Sequence, residues 1–263
     1  MPAAEHAADL AAIDLARECL YRFLAVALTD PAADAWPLLL DADSQRLAAE
    51  AAGLLRDEAA AAPAALGFGE LPPDGLDLAP LLAESRRPRA ELTAEYDRVF
   101  GLVPSPECLP YETEYHATAE PFFRAQQLAD VAGFYRAFGL EPSRGWPERP
   151  DHLALELEFL ALLLAKKRLA SAGAEDDNEA AARARVCAEA EDAFFRDHLA
   201  WWVPSFATGL RRKAGQGFYA ALGQALAALM PAERARFGVA PPRVPLQAVL
   251  IERPEEQAGC AGC

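Results

Sequence analysis

Asp151-His152, set just after Arg149-Pro150, is the pair in this sequence best suited to chemistry, since an aspartate beside an imidazole can orient a general base or complete a metal site. Helical geometry argues against convergence. At ~100° per residue Glu156 falls roughly 40° from His152 and Glu158 roughly 20° from Asp151, so the polar groups form two stripes. The structural alternative is that Asp151, following a proline, is an N-cap accepting hydrogen bonds from the orphaned N–H groups of a helix start. Glu112 with His116, and His152 with Glu156, stand at i and i+4, where both side chains on a helix could reach one ion. A metal-binding helical protein or enzyme using His116 and His152 with carboxylates is therefore an open reading. Two features weigh against it: the Glu-x-x-His pairs of di-iron bundles are absent, and Pro110-Tyr111 puts Glu112 in or beside a turn. Cys260 and Cys263 form a Cys-x-x-Cys that could chelate a metal or cycle through a disulfide. Two thiolates are half of a tetrahedral site, so zinc or an iron-sulfur cluster would need ligands from a second chain or a client. A metal or iron-sulfur donor acting through this pair stays open, beside a tail with no chemical role. Cys19, Cys108 and Cys187 read as isolated thiols, two of them on helices.

Aromatic side chains crowd the middle third: Tyr96, Phe100, Tyr111, Tyr115, Phe122, Phe123, Phe134, Tyr135 and Phe138. Some must be core. The rival reading is a groove, in which rings bury the side chains of an apolar peptide helix while Asp97, Glu112, Glu114, Asp151 or Glu156 meet guanidinium groups at its end. Further on, residues 194–204 read Phe-Phe-Arg-Asp-His-Leu-Ala-Trp-Trp-Val-Pro; here His198 bonding an interior carbonyl and Trp202 packing in the core are the expectation.

The elements that must position these groups are helices. Ala and Leu dominate outside Pro-rich loops while Val, Ile and Thr are scarce, so the expected fold is all-α. Ile13, Leu20, Phe23, Leu24, Ala27 and Leu28 recur at helical spacing before Thr29-Asp30-Pro31 stops the first helix. A second helix is expected over residues 36–62, burying Leu39, Leu47, Leu54 and Leu55 and closed by Pro63. Residues 67–77 read as a loop, followed by a helix carrying Leu78, Leu81 and Leu82, another from about Arg89, and an extended crossing through Pro104, Pro106 and Pro110. Helix resumes near Pro121. Residues 139–150, holding Pro142, Gly145, Pro147 and Pro150, are the candidate hinge between two helical halves. Residues 151–170 are apolar almost all round and predict a central buried helix. After a polar connection at 172–178, segments 179–195, 197–202 and 216–230 complete the bundle. Pro231, Pro241, Pro242 and Pro245 open a tail. The organisation expected is thus one helical domain over residues 1–240 and a Pro-rich tail over 241–263, whose apolar stretch 244–251 packs back on the bundle.

With 52% apolar residues the chain can bury a real core, and its net charge of −15 disfavours nucleic acid and anionic lipid as partners. A basic partner would be attracted. Glu5, Asp9, Asp14 and Glu18 interrupt the N-terminal stretch, so it reads as a first helix and not as a targeting sequence, and no apolar run reaches the ~20 residues of a membrane span. Five cysteines without framework spacing suit a reducing compartment, which makes the cytoplasm the expected address. Arg86-Arg87 is internal and lacks a following apolar segment, so it is no export signal. No glycine-rich phosphate loop is present.

Four stretches follow one another in order: Glu95-Tyr96-Asp97-Arg98-Val99-Phe100, Pro110-Tyr111-Glu112-Thr113-Glu114-Tyr115, Phe134-Tyr135-Arg136-Ala137-Phe138-Gly139-Leu140, and Arg149-Pro150-Asp151-His152 leading into Phe159. That order and spacing resemble the TorD/DmsD/NarJ family of redox-enzyme maturation chaperones, and the Phe-x-x-x-His-Leu-x-x-Trp pattern ending at Trp202 is a second match. The likeness covers about residues 10–230. The Cys-x-x-Cys tail departs from the family pattern. What the resemblance implies is a single TorD-like helical bundle, cytoplasmic and not an enzyme. It would bind the twin-arginine leader and apo form of a molybdopterin oxidoreductase catalytic subunit until its cofactor is inserted. It also implies that Tyr96, Tyr111, Glu112, Tyr115, Pro150, Asp151, His152 and Glu156 bind peptide, with Phe100, Pro110, Phe159, His198 and Trp202 as structural motif residues. No resident cofactor is implied, a metal at Cys260 and Cys263 being the exception to test. Monomer and helix-swapped homodimer both fit a Pro-rich hinge.

Overall fold

The computed structural model describes residues 2–61, 65–101, 107–116, 121–141, 148–172 and 178–249. Among them are ten α-helices and no strand: α1 (Pro2–Ala27), α2 (Trp36–Leu40), α3 (Ala42–Ala61), α4 (Ala79–Glu84), α5 (Arg89–Phe100), α6 (Pro121–Ala137), α7 (Leu153–Ala172), α8 (Asn178–Phe194), α9 (Val203–Ala214) and α10 (Phe218–Phe237). Short 3-10 turns lie at Pro73–Gly75 and Glu112–Tyr115, and a π-helical turn at Phe195–Leu199. The all-α expectation is borne out.

α7 is the central element. It buries Leu153, Leu157, Leu160, Leu163 and Leu164 between α1 and α8, and its burial ends at Ala165, where lysines begin. Its N-terminal neighbour α1 presents Ile13, Leu20, Leu24 and Ala27, as their helical spacing requires. Helices on both sides of residues 139–150 therefore share one core; Pro142, Gly145 and Pro147 of the candidate hinge lie outside the described residues, as do Pro63, Pro104 and Pro106.

Three sequence expectations give way to specific chemistry. The helix expected over 36–62 is two helices, because Asp41 turns extended (ψ 129°) and its carboxylate accepts the Ser44 N–H at 2.8 Å to start α3. Of its four expected core leucines, Leu39 and Leu55 are buried, whereas Leu47 and Leu54 face solvent; Ala48, Ala51 and Ala52 line the core instead, a small-residue face that lets α3 pack closely on α1. A helix not foreseen, α9, begins with Pro204 in its first turn, where a missing N–H costs nothing, and ends at Gly215 with φ 72°. Pro231 does not open a tail but sits inside α10. The helix survives because the Ala227 carbonyl, four residues back and deprived of its usual donor, accepts the Leu71 N–H at 2.9 Å.

Buried charges tie the periphery to this core. Arg17 of α1 donates from Nε to Glu233 of α10 at 2.9 Å and pairs with Glu191 of α8, while Arg234 binds Glu70 and the Ala65 and Val239 carbonyls. Such fully paired guanidinium groups fix the relation of three helices; removing one partner would strand a charge at ~3–5 kcal/mol. Residues 241–249 run back over the bundle, with Ala248 buried.

Candidate functional site

The site forms where two motif segments meet. Tyr111 is extended and makes an isolated antiparallel bridge with His152, closed by Glu112 N–H to Asp151 O at 3.0 Å and Leu153 N–H to Pro110 O at 2.9 Å. Pro110 thus presents its carbonyl to the first residue of α7. The bridge brings together residues some forty positions apart, and side chains weld it. Asp151, wholly buried, accepts at Oδ2 from the Thr113 N–H (3.1 Å), the Thr113 hydroxyl (2.8 Å) and Arg149 Nη2 (2.8 Å), and at Oδ1 from Arg149 Nε (3.0 Å). Arg149 also donates to Glu114 at 2.8 Å and lies over the Tyr111 ring at 4.3 Å. Arg124 of α6 takes the other oxygen of Glu114. The guanidinium groups that meet these carboxylates are the chain's own.

Asp151 is not the helix cap expected. His152 is: its Nδ1 accepts the Ala154 N–H at 3.1 Å, and its ring packs edge-on against Tyr111. Burial pushes the imidazole below the ordinary histidine range, keeping Nδ1 free to accept. Pro150 contributes its carbonyl, which accepts the Tyr135 hydroxyl at 2.8 Å.

Glu112 does not pair with His116, because its 3-10 turn breaks the helical i, i+4 relation. It faces His198, 3.1 Å from Nδ1, and receives the Trp201 indole N–H at 3.3 Å. His198, expected to bond a carbonyl, instead meets this carboxylate. Burial pushes the Glu112 carboxyl up, against the pull of His198 and Trp201. Glu156 is deeper still: neither oxygen has a hydrogen-bond partner among the described residues, and burial, reinforced by Glu112 and Asp151, pushes its carboxyl well above the ordinary range. The nearby Trp202 indole gives its N–H to the His198 carbonyl. No group of three or more potential metal ligands occurs among the described residues, and Cys260 and Cys263 lie outside them.

The remaining expected residues divide. Tyr115 is buried against Trp202, ring centres 5.1 Å apart, and Phe159 sits among Phe134, Tyr135, Phe138 and Phe194. Tyr96 stacks with Phe100 and Tyr219; burial pushes its hydroxyl up to about 12. Of the eight expected peptide-binding residues, only Tyr96, Tyr111 and Pro150 are more than marginally exposed. What faces solvent beside them is an aromatic ledge: Phe122 is 80% exposed and Phe123 39%, with half-buried His116 stacked between Phe123 and Trp201. Asp130 lies at its edge, 63% exposed and 3.6 Å from His198 Nε2. Sequence reasoning assigned no role to Thr113, Arg124, Arg149 or Trp201. A charge argument could have found the arginines, since buried carboxylates demand partners.

The arrangement defines an all-helical protein whose most conspicuous polar residues are spent on holding two loops together beneath an exposed aromatic surface. The chain belongs to the nitrate reductase delta subunit family, which it matches over residues 70–208. The TorD-like resemblance read from the motifs is borne out by its relatives. It is 35% identical to the selenate reductase assembly chaperone protein of Thauera selenatis, over 44% of this chain and 56% of that one. It is 33% identical to the chlorate reductase assembly chaperone protein of Ideonella dechloratans, over 43% and 54%, and 28% identical to the chaperone protein TorD of Photobacterium profundum, over 50% and 56%. The chain spans about half the length of the curated relatives it matches.

Proposed function

We propose that this protein is a system-specific assembly chaperone that binds the catalytic subunit of a molybdopterin oxidoreductase in the cytoplasm and releases it once its cofactor is in place, without catalysing a reaction. The observation that carries the reading is the ledge of Phe122, Phe123, His116 and Trp201, standing on the Asp151–Thr113–Arg149–Glu114 network. Apolar rings in water favour capture of another polypeptide. The acid–base groups beneath are engaged in welding loops, a duty suited to positioning and not to turnover. Names of relatives, assembly chaperones for selenate and chlorate reductases, point the same way. Among the described residues no helix is long and apolar enough to cross a membrane.

The client's twin-arginine leader is the proposed ligand. Its apolar stretch would lie on the ledge, and its arginines would approach Asp130 and the acidic surface of a chain carrying a net charge of −15. Glu112, Asp151, His152 and Glu156 act from below, as positioning residues. The test is calorimetry with synthetic leaders of molybdopterin-oxidoreductase catalytic subunits from the same organism, each beside a version with both arginines changed to alanine. Micromolar binding of at least one leader, weakened by salt and by the alanines, supports the reading. Indifference to every leader, or turnover of a small substrate, overturns it.

A further inference from the structure

Residues 244–249 lie extended in a slot bounded by the Glu112–Tyr115 turn, α6 and α9. Every polar contact that holds them there addresses main chain. The Leu246 N–H donates to Ser205 Oγ at 3.0 Å, the Val249 N–H donates to the Glu114 carbonyl at 2.8 Å, and the Val249 carbonyl accepts from Arg124 Nη2 at 3.0 Å. Ser205 is itself 94% buried by its 6% exposure, and Arg124 is held in place by Glu114. Side chains alternate as in a strand: Ala248 is buried and Leu246 partly so, while Val244, Gln247 and Val249 face outward. Behind Leu246 and Val244 an open cavity of about 270 Å³, lined also by Ala200, Trp201 and Val239, leaves the segment loosely packed on one side.

We propose that this slot is a docking site for an extended, apolar peptide segment of a protein partner, and that residues 244–249 fill it as an intramolecular competitor. Main-chain recognition is tolerant of sequence, so any segment with an N–H at one position, a small apolar side chain two residues on and a free N–H and C=O at the third can replace the chain's own. The slot adjoins the ledge through Trp201 and the network through Glu114, so an occupant from outside would touch both. Assigning that occupant to the client rests on the chaperone reading; the existence of the slot does not. Displacing the resident segment lowers apparent affinity by the fraction of molecules in which the slot is open.

Two full-length variants test this. Ala248→Asp places a charge in the buried position, and Leu246→Pro removes the donor to Ser205. In the Ala248→Asp chain, a synthetic peptide of residues 243–249 should shift the backbone amide resonances of Glu114, Arg124 and Ser205, while the unaltered chain stays unmoved. Absence of those shifts at millimolar peptide overturns the slot. In the same calorimetry, both variants should bind the client leader at least about tenfold more tightly than the unaltered chain. Equal affinity in all three chains overturns the competition. Failure of every leader in all three, with the heptapeptide still binding the variant, sinks the chaperone reading and leaves the slot standing.

Discussion

Replacing Asp151 by alanine should cost fold stability first and partner binding second. Asp151 is wholly buried and touches nothing outside its own chain; it accepts two hydrogen bonds from Thr113 and two from Arg149. The Arg149 side chain is 38% exposed, so water can recover much of what it loses. The Thr113 backbone N–H has no such recourse, since Thr113 is 1% exposed. One orphaned donor and the lost bonds to a charged acceptor together amount to about 3 kcal/mol. At ~2–4 °C per kcal/mol for a chain of this size, the unfolding midpoint should fall by roughly 6–12 °C. Asp151→Asn, which keeps one acceptor oxygen, should lose about a third of that. Thermal unfolding followed by circular dichroism reads both values, and leader calorimetry well below the lower midpoint reads binding. Affinity should decline in the same order, Ala worse than Asn, as the Glu112–Tyr115 turn loosens. If Asp151→Ala abolished binding while its midpoint moved by less than ~2 °C, the side chain would have to meet the ligand directly and the positioning argument would be wrong.

Phe122→Ser removes an exposed ring, so stability should stay within ~0.5 kcal/mol while leader affinity falls about five- to thirtyfold; unchanged affinity by calorimetry would move the docking surface elsewhere. His198→Leu leaves the buried Glu112 carboxylate without its imidazole and should cost about 3 kcal/mol in urea unfolding, much of it restored by adding Glu112→Leu; strictly additive losses would show that the pair is not coupled. Glu156 folds best protonated, because burial raises its carboxyl above the unfolded value. Its contribution is therefore full below the ordinary carboxylate range and is lost as pH climbs toward the folded value, so Glu156→Gln should lose less stability than the unaltered chain between pH 5 and pH 8. Parallel stability curves would contradict that burial.

Helix content was legible because Ala, Leu and proline punctuation speak locally. The failures were local too, but their causes were distant: Pro231 is tolerated inside α10 only because Leu71 supplies a donor to Ala227, a contact no periodicity announces. Leu47 and Leu54 carry the right residue type on the wrong face, since alanines chose the face that α1 could approach. At the site, motif order correctly marked Tyr111, Glu112, Asp151 and His152 as neighbours. Their partners were hidden by separation: Thr113 lies 38 residues from Asp151, and Glu112 lies 86 from His198. An aspartate after a proline looked like a cap, but the free lone pair of a buried imidazole took that duty.

The π-helical turn at Phe195–Leu199 has a consequence for sequence variation. It carries one residue more per turn than the α-helix leading into it, and that surplus helps aim His198 at Glu112 while Trp202 enters the core. Deleting a single amino acid there would restore ordinary winding and rotate everything downstream by ~100°, swinging the indole or the imidazole out of place. A gap of one position within this stretch is thus a costlier evolutionary event than many substitutions, and a homologue that carries it should also have replaced the glutamate.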